Sequence, residues 1–78
     1  MQLKILGTGC VNCNNLETNT RKALEKLGLS AEIDKVTDPG EIIAWGVMST
    51  PALVIDDEVV LAGRVPSVEQ LADLLASA

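Results

Sequence analysis

Gly7-Thr8-Gly9-Cys10-Val11-Asn12-Cys13 is the stretch that decides how the rest of this chain is interpreted. It holds the only two cysteines among the 78 residues. Two cysteines separated by two residues can reach disulfide geometry within about one helical turn. The loop closed by such a crosslink is very short, so the crosslink removes little entropy from the unfolded chain and stabilises the fold little. The spacing therefore favours a reactive pair over a structural crosslink.

The position of Cys10 supports reactivity. Cys10 follows a Gly-Thr-Gly turn and precedes a long amphipathic pattern, which places it at or near the first residue of a helix. Free backbone N–H groups and the positive end of the helix dipole favour a thiolate at that position. Cys13 then lies one turn deeper, where it can attack a mixed disulfide formed by Cys10. We predict that Cys10 and Cys13 are the catalytic residues.

A metal site is the alternative use of two close thiolates. Structural zinc normally takes four ligands, and the chain has no histidine and no third cysteine, so we expect no zinc. Two thiolates are enough for a soft ion such as Cu(I). A Cu(I)-type binding or metallochaperone module that uses Cys10 and Cys13 therefore remains an open alternative.

Length and composition limit the other possibilities. Seventy-eight residues, 47% of them hydrophobic, predict one small domain over residues 1–78, with Trp45 as the only aromatic. A net charge of −5 argues against nucleic acid or an anionic membrane as a partner. No apolar run approaches the roughly 20 residues that span a bilayer. We see no export signal and expect a cytoplasmic location, where a close cysteine pair is more often catalytic or metal-binding than structural.

The hydrophobic pattern predicts seven elements. Strands are predicted at 2–6, 31–36, 52–55 and 59–62, and helices at 13–27, 42–45 and from Val68 onward. Gly28 is expected to end the first helix, Asp38 and Ser67 to cap the other two, and 56–58 to turn the chain between the last two strands. The order β-α-β-α-β-β-α indicates an α/β fold: a parallel pair followed by an antiparallel hairpin, in a four-stranded mixed sheet with helices on both faces.

Three motifs of the chain resemble a known family. They are Gly7-Thr8-Gly9-Cys10-Val11-Asn12-Cys13, the segment from Trp45 through Thr50-Pro51 to the apolar strand ending at Ile55, and Ala62-Gly63-Arg64-Val65-Pro66-Ser67. Together they look like the thioredoxin superfamily in its minimal form. More closely, they are similar to the small redox-active disulfide proteins, a glutaredoxin-sized group of prokaryotes. The likeness spans essentially the whole chain.

The resemblance implies roles for four residues. Cys10 would be the nucleophile and Cys13 the resolving thiol, with no cofactor beyond their redox-active disulfide. The Thr50–Pro51 bond would be cis and would pack against the disulfide. Thr50 and Pro51 would then bind substrate, because a cis-proline leaves the backbone groups of Thr50 free to pair with an extended chain. The expected partners are a protein disulfide and an upstream reductase, and the expected state is a monomer.

The chain departs from the family at two positions. Many thioredoxins carry a buried Asp six residues before the first cysteine, where this chain has Lys4. A positive charge there would favour thiolates if it lay close to them. Glutaredoxins usually show acidic residues after the glycine of the last strand, whereas Arg64 follows Gly63 here. We therefore claim no glutathione site. Arg64 could meet a substrate carboxylate, but we favour its interpretation as a solvated surface residue.

Overall fold

The computed structural model describes residues 1–77, and it shows the predicted element order. The elements are β1 (Gln2–Leu6), α1 (Val11–Leu27), β2 (Glu32–Val36), α2 (Pro39–Ala44), β3 (Ala52–Ile55), β4 (Glu58–Ala62) and α3 (Val68–Ala76). Across residues 1–77, no helix combines the length and the apolar character that crossing a membrane requires.

The four strands form one mixed sheet in the order β2-β1-β3-β4. β1 runs parallel to β2 and antiparallel to β3, and β3 runs antiparallel to β4. The α/β architecture with a parallel pair and an antiparallel hairpin is thus confirmed. One irregularity was not predicted: the β3–β4 register shifts between Leu53 and Val54. β2 lies at an edge of the sheet, where its charged residues can face water.

The core divides into two layers because successive strand residues point to opposite faces of the sheet. The layer under α1 and α3 contains Leu3, Ile5, Leu16, Ala23, Leu24, Leu53, Ile55, Leu61, Leu71, Ala72 and Leu75. The layer under α2 contains Leu6, Ile42, Ala52 and Val54, with Trp45 packed against it. All four β3 residues are buried, as expected for a strand covered on both faces. Helices therefore do lie on both faces of the sheet.

The predicted capping residues of the helices are confirmed by their geometry and hydrogen bonds. Gly28 ends α1 in the left-handed conformation, with φ of 67°. The Asp38 side chain accepts from the backbone N–H of Glu41 at 3.0 Å. Ser67 and Gln70 form a reciprocal capping box at the start of α3. Two predicted helix bounds are wrong. α1 begins at Val11 and not at Cys13, because Cys10 is its N-cap. α2 spans Pro39–Ala44 and not 42–45, because it begins directly after its N-cap, Asp38.

The hairpin turn is shorter than predicted. Glu58 already belongs to β4, so only Asp56 and Asp57 connect the strands, and both have positive φ, 47° and 67°. Two-residue hairpins require such angles because their twist must match that of the strands. Asp56 is also tied to β1: its Oδ1 accepts from the backbone N–H of Gln2, and its own N–H donates to the carbonyl of Gln2, both at 2.9 Å.

A candidate disulfide active site

Cys10 and Cys13 form a disulfide at the start of α1, with their Cα atoms 5.0 Å apart. Cys10 is the N-cap residue, and its Sγ accepts from the backbone N–H of Cys13 at 3.2 Å. The carbonyl of Cys10 accepts from the N–H of Asn14 at 3.0 Å. No acidic side chain lies in the first turn of α1. A thiolate at Cys10 would therefore meet backbone donors, the positive end of the helix and no neighbouring carboxylate on that turn.

The two sulfur-bearing residues differ in their access to solvent. Cys10 is exposed, whereas Cys13 retains only 4% of its accessible surface. The side chain of Cys13 faces the sheet because it begins the buried stripe of α1, which continues through Leu16 and Thr20. Only the Cys10 sulfur is therefore accessible to another molecule, whether it attacks that molecule or is attacked by it.

Gly7 provides the space that Cys13 occupies, and its role was not predicted from the sequence. A Cβ at Gly7 would overlap Cys13 Sγ and would lie 3.2 Å from Cys13 Cβ. The backbone of Gly7 is fixed by its N–H, which donates to the carbonyl of Val36 at 2.9 Å. The sequence pattern indicates only a turn residue at Gly7. Its contact with Cys13 is the stronger requirement, and the glycine directly after a strand was the only signal of it.

Pro51 lies beside the same glycine and cysteine. The Thr50–Pro51 peptide bond is cis, the isomer that the resemblance implied. Pro51 is buried, and its Cα lies 4.0 Å from the Cβ position of Gly7 that would overlap the Cys13 sulfur. The structure therefore brings Pro51 next to the disulfide, while the neighbouring Thr50 is exposed. Substrate binding by Thr50 and Pro51 stays a prediction.

The end of β4 holds the proline segment in place. The N–H of Gly63 donates to the carbonyl of Pro51 at 2.8 Å. Gly63 has φ of 78°, and a Cβ there would approach Ser49 Cβ to 2.9 Å. Positive φ and this close approach both require glycine. Gly63 is thus a second supporting residue that the sequence marked only as part of a family-like motif.

Lys4, at the position where many thioredoxins carry a buried Asp, contacts Trp45. Its Nζ lies 4.9 Å from the ring centroid of Trp45, in a cation–π contact on the α2 side of the sheet. This contact was not predicted. Through this contact, the single aromatic residue of the chain has a charged neighbour on β1.

Glu17 is the carboxylate one helical turn after Cys13. Its Oε1 lies 2.8 Å from Lys35 Nζ, and its Oε2 lies 2.9 Å from Arg21 Nη2. The hydrogen bond from Lys35 lowers the pKa of Glu17 below its ordinary value of 4.5, and Arg21 adds to this effect while partial burial opposes it. Glu17 is therefore ionised at neutral pH, and its ion pair with Lys35 ties α1 to β2.

Two further sequence predictions concern Arg64 and metals. Arg64 is exposed and lines a shallow cavity of about 290 Å³ together with α3 side chains, Asp73 among them. Within residues 1–77, no three His, Cys, Asp or Glu side chains are arranged to hold a metal ion. A two-coordinate Cu(I) site would not need such a group, and no observation favours one.

Comparison with known proteins agrees with this geometry. The family model described as "Thioredoxin domain" matches residues 1–76. A protein of Methanocaldococcus jannaschii named "Thioredoxin" is 48% identical over 75 residues, which cover 96% of this chain and 86% of that protein. A "Thioredoxin" of Methanothermobacter thermautotrophicus is 40% identical over 76 residues, covering 97% and 99%. The chain therefore belongs to the thioredoxin domain family of disulfide oxidoreductases.

Proposed function

We propose that this chain reduces disulfide bonds in other proteins by cycling between the Cys10, Cys13 dithiol and the Cys10–Cys13 disulfide. The observation that carries the proposal is the asymmetry of the pair. Cys10 is exposed at a helix N-cap, and Cys13, with 4% of its surface accessible, lies behind it against Gly7 and beside Pro51. This arrangement suits one thiol that meets the substrate and a second that reacts only within the molecule.

The reaction proceeds through two exchanges. The Cys10 thiolate attacks one sulfur of the substrate disulfide, the substrate S–S bond breaks, and the departing sulfur leaves as a thiolate that takes a proton. Cys13, after losing its proton, then attacks the Cys10 sulfur of this mixed disulfide. The second substrate thiolate is released, and the Cys10–Cys13 bond forms. Two electrons have passed to the substrate, which is now a dithiol.

Thr50 and Pro51 would align the substrate for the first exchange. Thr50 is exposed next to the buried Pro51, and the Gly63 hydrogen bond to Pro51 keeps this segment in place beside the disulfide. An extended substrate segment that paired with the backbone of Thr50 would bring its own sulfur toward Cys10. The proline ring, lacking an N–H, would shield Cys13 without competing for a hydrogen bond.

Regeneration requires an electron donor. The Cys10–Cys13 disulfide formed in each cycle would be reduced by an upstream reductase through the same exchange in reverse. We assign this cycle to a monomer, because each chain contains both thiols and the proline segment that the chemistry needs. We place it in the cytoplasm, where a close cysteine pair is more often catalytic than structural.

Trapping of the mixed disulfide tests the assigned roles. Cys13→Ser should accumulate a covalent adduct with a disulfide-containing protein such as insulin, because the resolving thiol is gone. Cys10→Ser, the matched control, should form none, because Cys13 is buried. Both variants should lose turnover in insulin reduction. Equal adduct formation by the two variants would contradict the assignment.

The same proteins separate the reductase from a metal module. Insulin reduction should be measured once with thioredoxin reductase and NADPH, and once with glutathione and its reductase, to identify the donor. Cu(I) should be titrated in parallel against a chelator of known affinity. A metal module would show tight Cu(I) binding, weakened equally by Cys10→Ser and Cys13→Ser, with neither insulin reduction nor a trapped adduct.

A further inference from the structure

The segment between α2 and β3 exposes apolar side chains. Met48 is 98% exposed and Ile43 is 72% exposed, and with Gly46 and the half-buried Val47 they line an open groove of about 440 Å³. Exposure of a single large apolar residue is common, but a nearly fully exposed methionine within an apolar groove contributes nothing to the core. The fold alone does not explain Met48.

Met48 lies at the active-site end of the molecule. It lies three positions before Pro51 in the chain, and three residue steps span at most about 11 Å. Pro51 in turn lies beside Gly7 and Cys13. Ser49, between Met48 and Pro51, is held against Gly63. The Met48 thioether therefore belongs to the surface that a large substrate must approach to reach Cys10.

The chemistry of this sulfur differs from that of the cysteines. A thioether is oxidised to a sulfoxide by hydrogen peroxide, and a sulfoxide is polar where the thioether is apolar. In the disulfide form the part of the chain that the structure describes has no free thiol, so peroxide meets thioethers instead. The only other methionine, Met1, is 43% exposed. Met48 is thus the most accessible oxidisable sulfur of the disulfide form.

We propose that Met48 is an oxidation site at which hydrogen peroxide lowers the ability of this chain to engage protein disulfides. The Met48 sulfur attacks one peroxide oxygen, the O–O bond breaks as an S–O bond forms, and the second oxygen leaves as water after a proton transfer. The sulfur loses two electrons and the peroxide gains them. The inference rests on the proposed disulfide reductase function.

The order of oxidation follows from accessibility and thiolate character. In the dithiol form the Cys10 thiolate reacts with peroxide first and ends as the Cys10–Cys13 disulfide, since Cys13 lies directly behind it. Met48 is oxidised after the two thiols have been converted to the disulfide. Exchange can then resume when the disulfide is reduced, but with a polar sulfoxide on the apolar groove.

Peptide mass analysis tests the site itself. The disulfide form is treated with hydrogen peroxide, and the gain of one oxygen is followed over time at Met48 and at Met1. Met48 should be oxidised about twofold faster than Met1, in proportion to its greater exposure. Oxidation of Met1 at the same rate or faster would contradict the assignment of Met48 as the preferred oxidation site. This measurement does not depend on any enzymatic activity.

Activity measurements test the consequence. After peroxide treatment and re-reduction, kcat/KM for insulin should fall by about three- to tenfold in the wild-type chain, because an apolar contact has become polar. The rate with hydroxyethyl disulfide, which is too small to cover the groove, should not change. For Met48→Leu, which has no oxidisable sulfur there, the ratio of treated to untreated kcat/KM should stay near one.

The outcomes distinguish this inference from the proposed function. The inferred effect on substrate engagement is contradicted if Met48 is oxidised and insulin reduction is unchanged. It is also contradicted if insulin reduction falls equally in Met48→Leu. If the untreated wild-type chain does not reduce insulin, the proposed function itself fails, whatever the mass analysis shows.

Discussion

Replacing Gly7 by alanine should destabilise the protein by crowding the sulfur of Cys13. The added Cβ would overlap Cys13 Sγ and lie 3.2 Å from Cys13 Cβ. Gly7 is not one of the glycines with positive φ, so the cost comes from packing and not from backbone strain. Overpacking of a core costs about 1–3 kcal/mol, and the stiffer unfolded chain returns about 0.4–1 kcal/mol, so the net loss is at most about 2.6 kcal/mol, and about 1–2 kcal/mol is the central expectation.

A double-mutant cycle isolates this contact. The free-energy cost of Gly7→Ala is measured in the Cys10→Ala background, which keeps the Cys13 sulfur without a disulfide, and again in Cys10→Ala with Cys13→Ala. Guanidinium unfolding, followed by the fluorescence of Trp45, gives the stability of each variant, because Trp45 is the only aromatic residue and packs against the second core layer.

The cost should be about 1–2 kcal/mol where the Cys13 sulfur is present and should fall below about 1 kcal/mol where it is absent. Equal costs in the two backgrounds would show that Gly7 is needed for a reason other than space for the sulfur, and would contradict the role assigned to its contact with Cys13.

Three further predictions concern the hairpin turn, an ion pair and the thiols. Asp57→Gly should stabilise the protein by about 0.5–1 kcal/mol in guanidinium unfolding, because Asp57 has φ of 67°. Glu17→Gln should cost about 0.5–1 kcal/mol at neutral pH and progressively less in acid, measured by unfolding from pH 7 to 3. Since the folded-state pKa of Glu17 is lowered, its contribution is complete above its ordinary value of 4.5 and is lost as pH falls through the lower value. In the reduced protein, iodoacetamide should modify Cys10 at lower pH and faster than Cys13, as followed by peptide mass analysis.

Each of these predictions has a contrary outcome. An unchanged or lower unfolding midpoint for Asp57→Gly would contradict the strained two-residue turn. A pH-independent difference between wild type and Glu17→Gln would contradict the contribution of ionised Glu17. Equal pH profiles for alkylation of Cys10 and Cys13 would leave no activated nucleophile, and the redox mechanism would fail.

The elements and their ends could be predicted from the sequence because their causes are local. The N-cap position of Cys10, the left-handed Gly28 and the caps at Asp38 and Ser67 depend on residues three or four positions apart. The strand positions followed from short apolar runs, and all four residues of the apolar β3 are buried. The reactivity assigned to Cys10 rests on the same local argument, its place at a helix start.

The tertiary structure decided what surrounds those sulfurs. The contact of Gly7 with Cys13 joins a strand end to a helix, and the Gly63 hydrogen bond to Pro51 joins two strands far apart in sequence from Cys10. Lys4 could be compared with the family but not placed over Trp45. Composition and spacing do not encode such contacts, because they depend on which faces meet after packing. The sequence thus determined that two thiols stand at a helix start, with Cys13 one turn deeper than Cys10, and only the packed fold determined which residues cover Cys13.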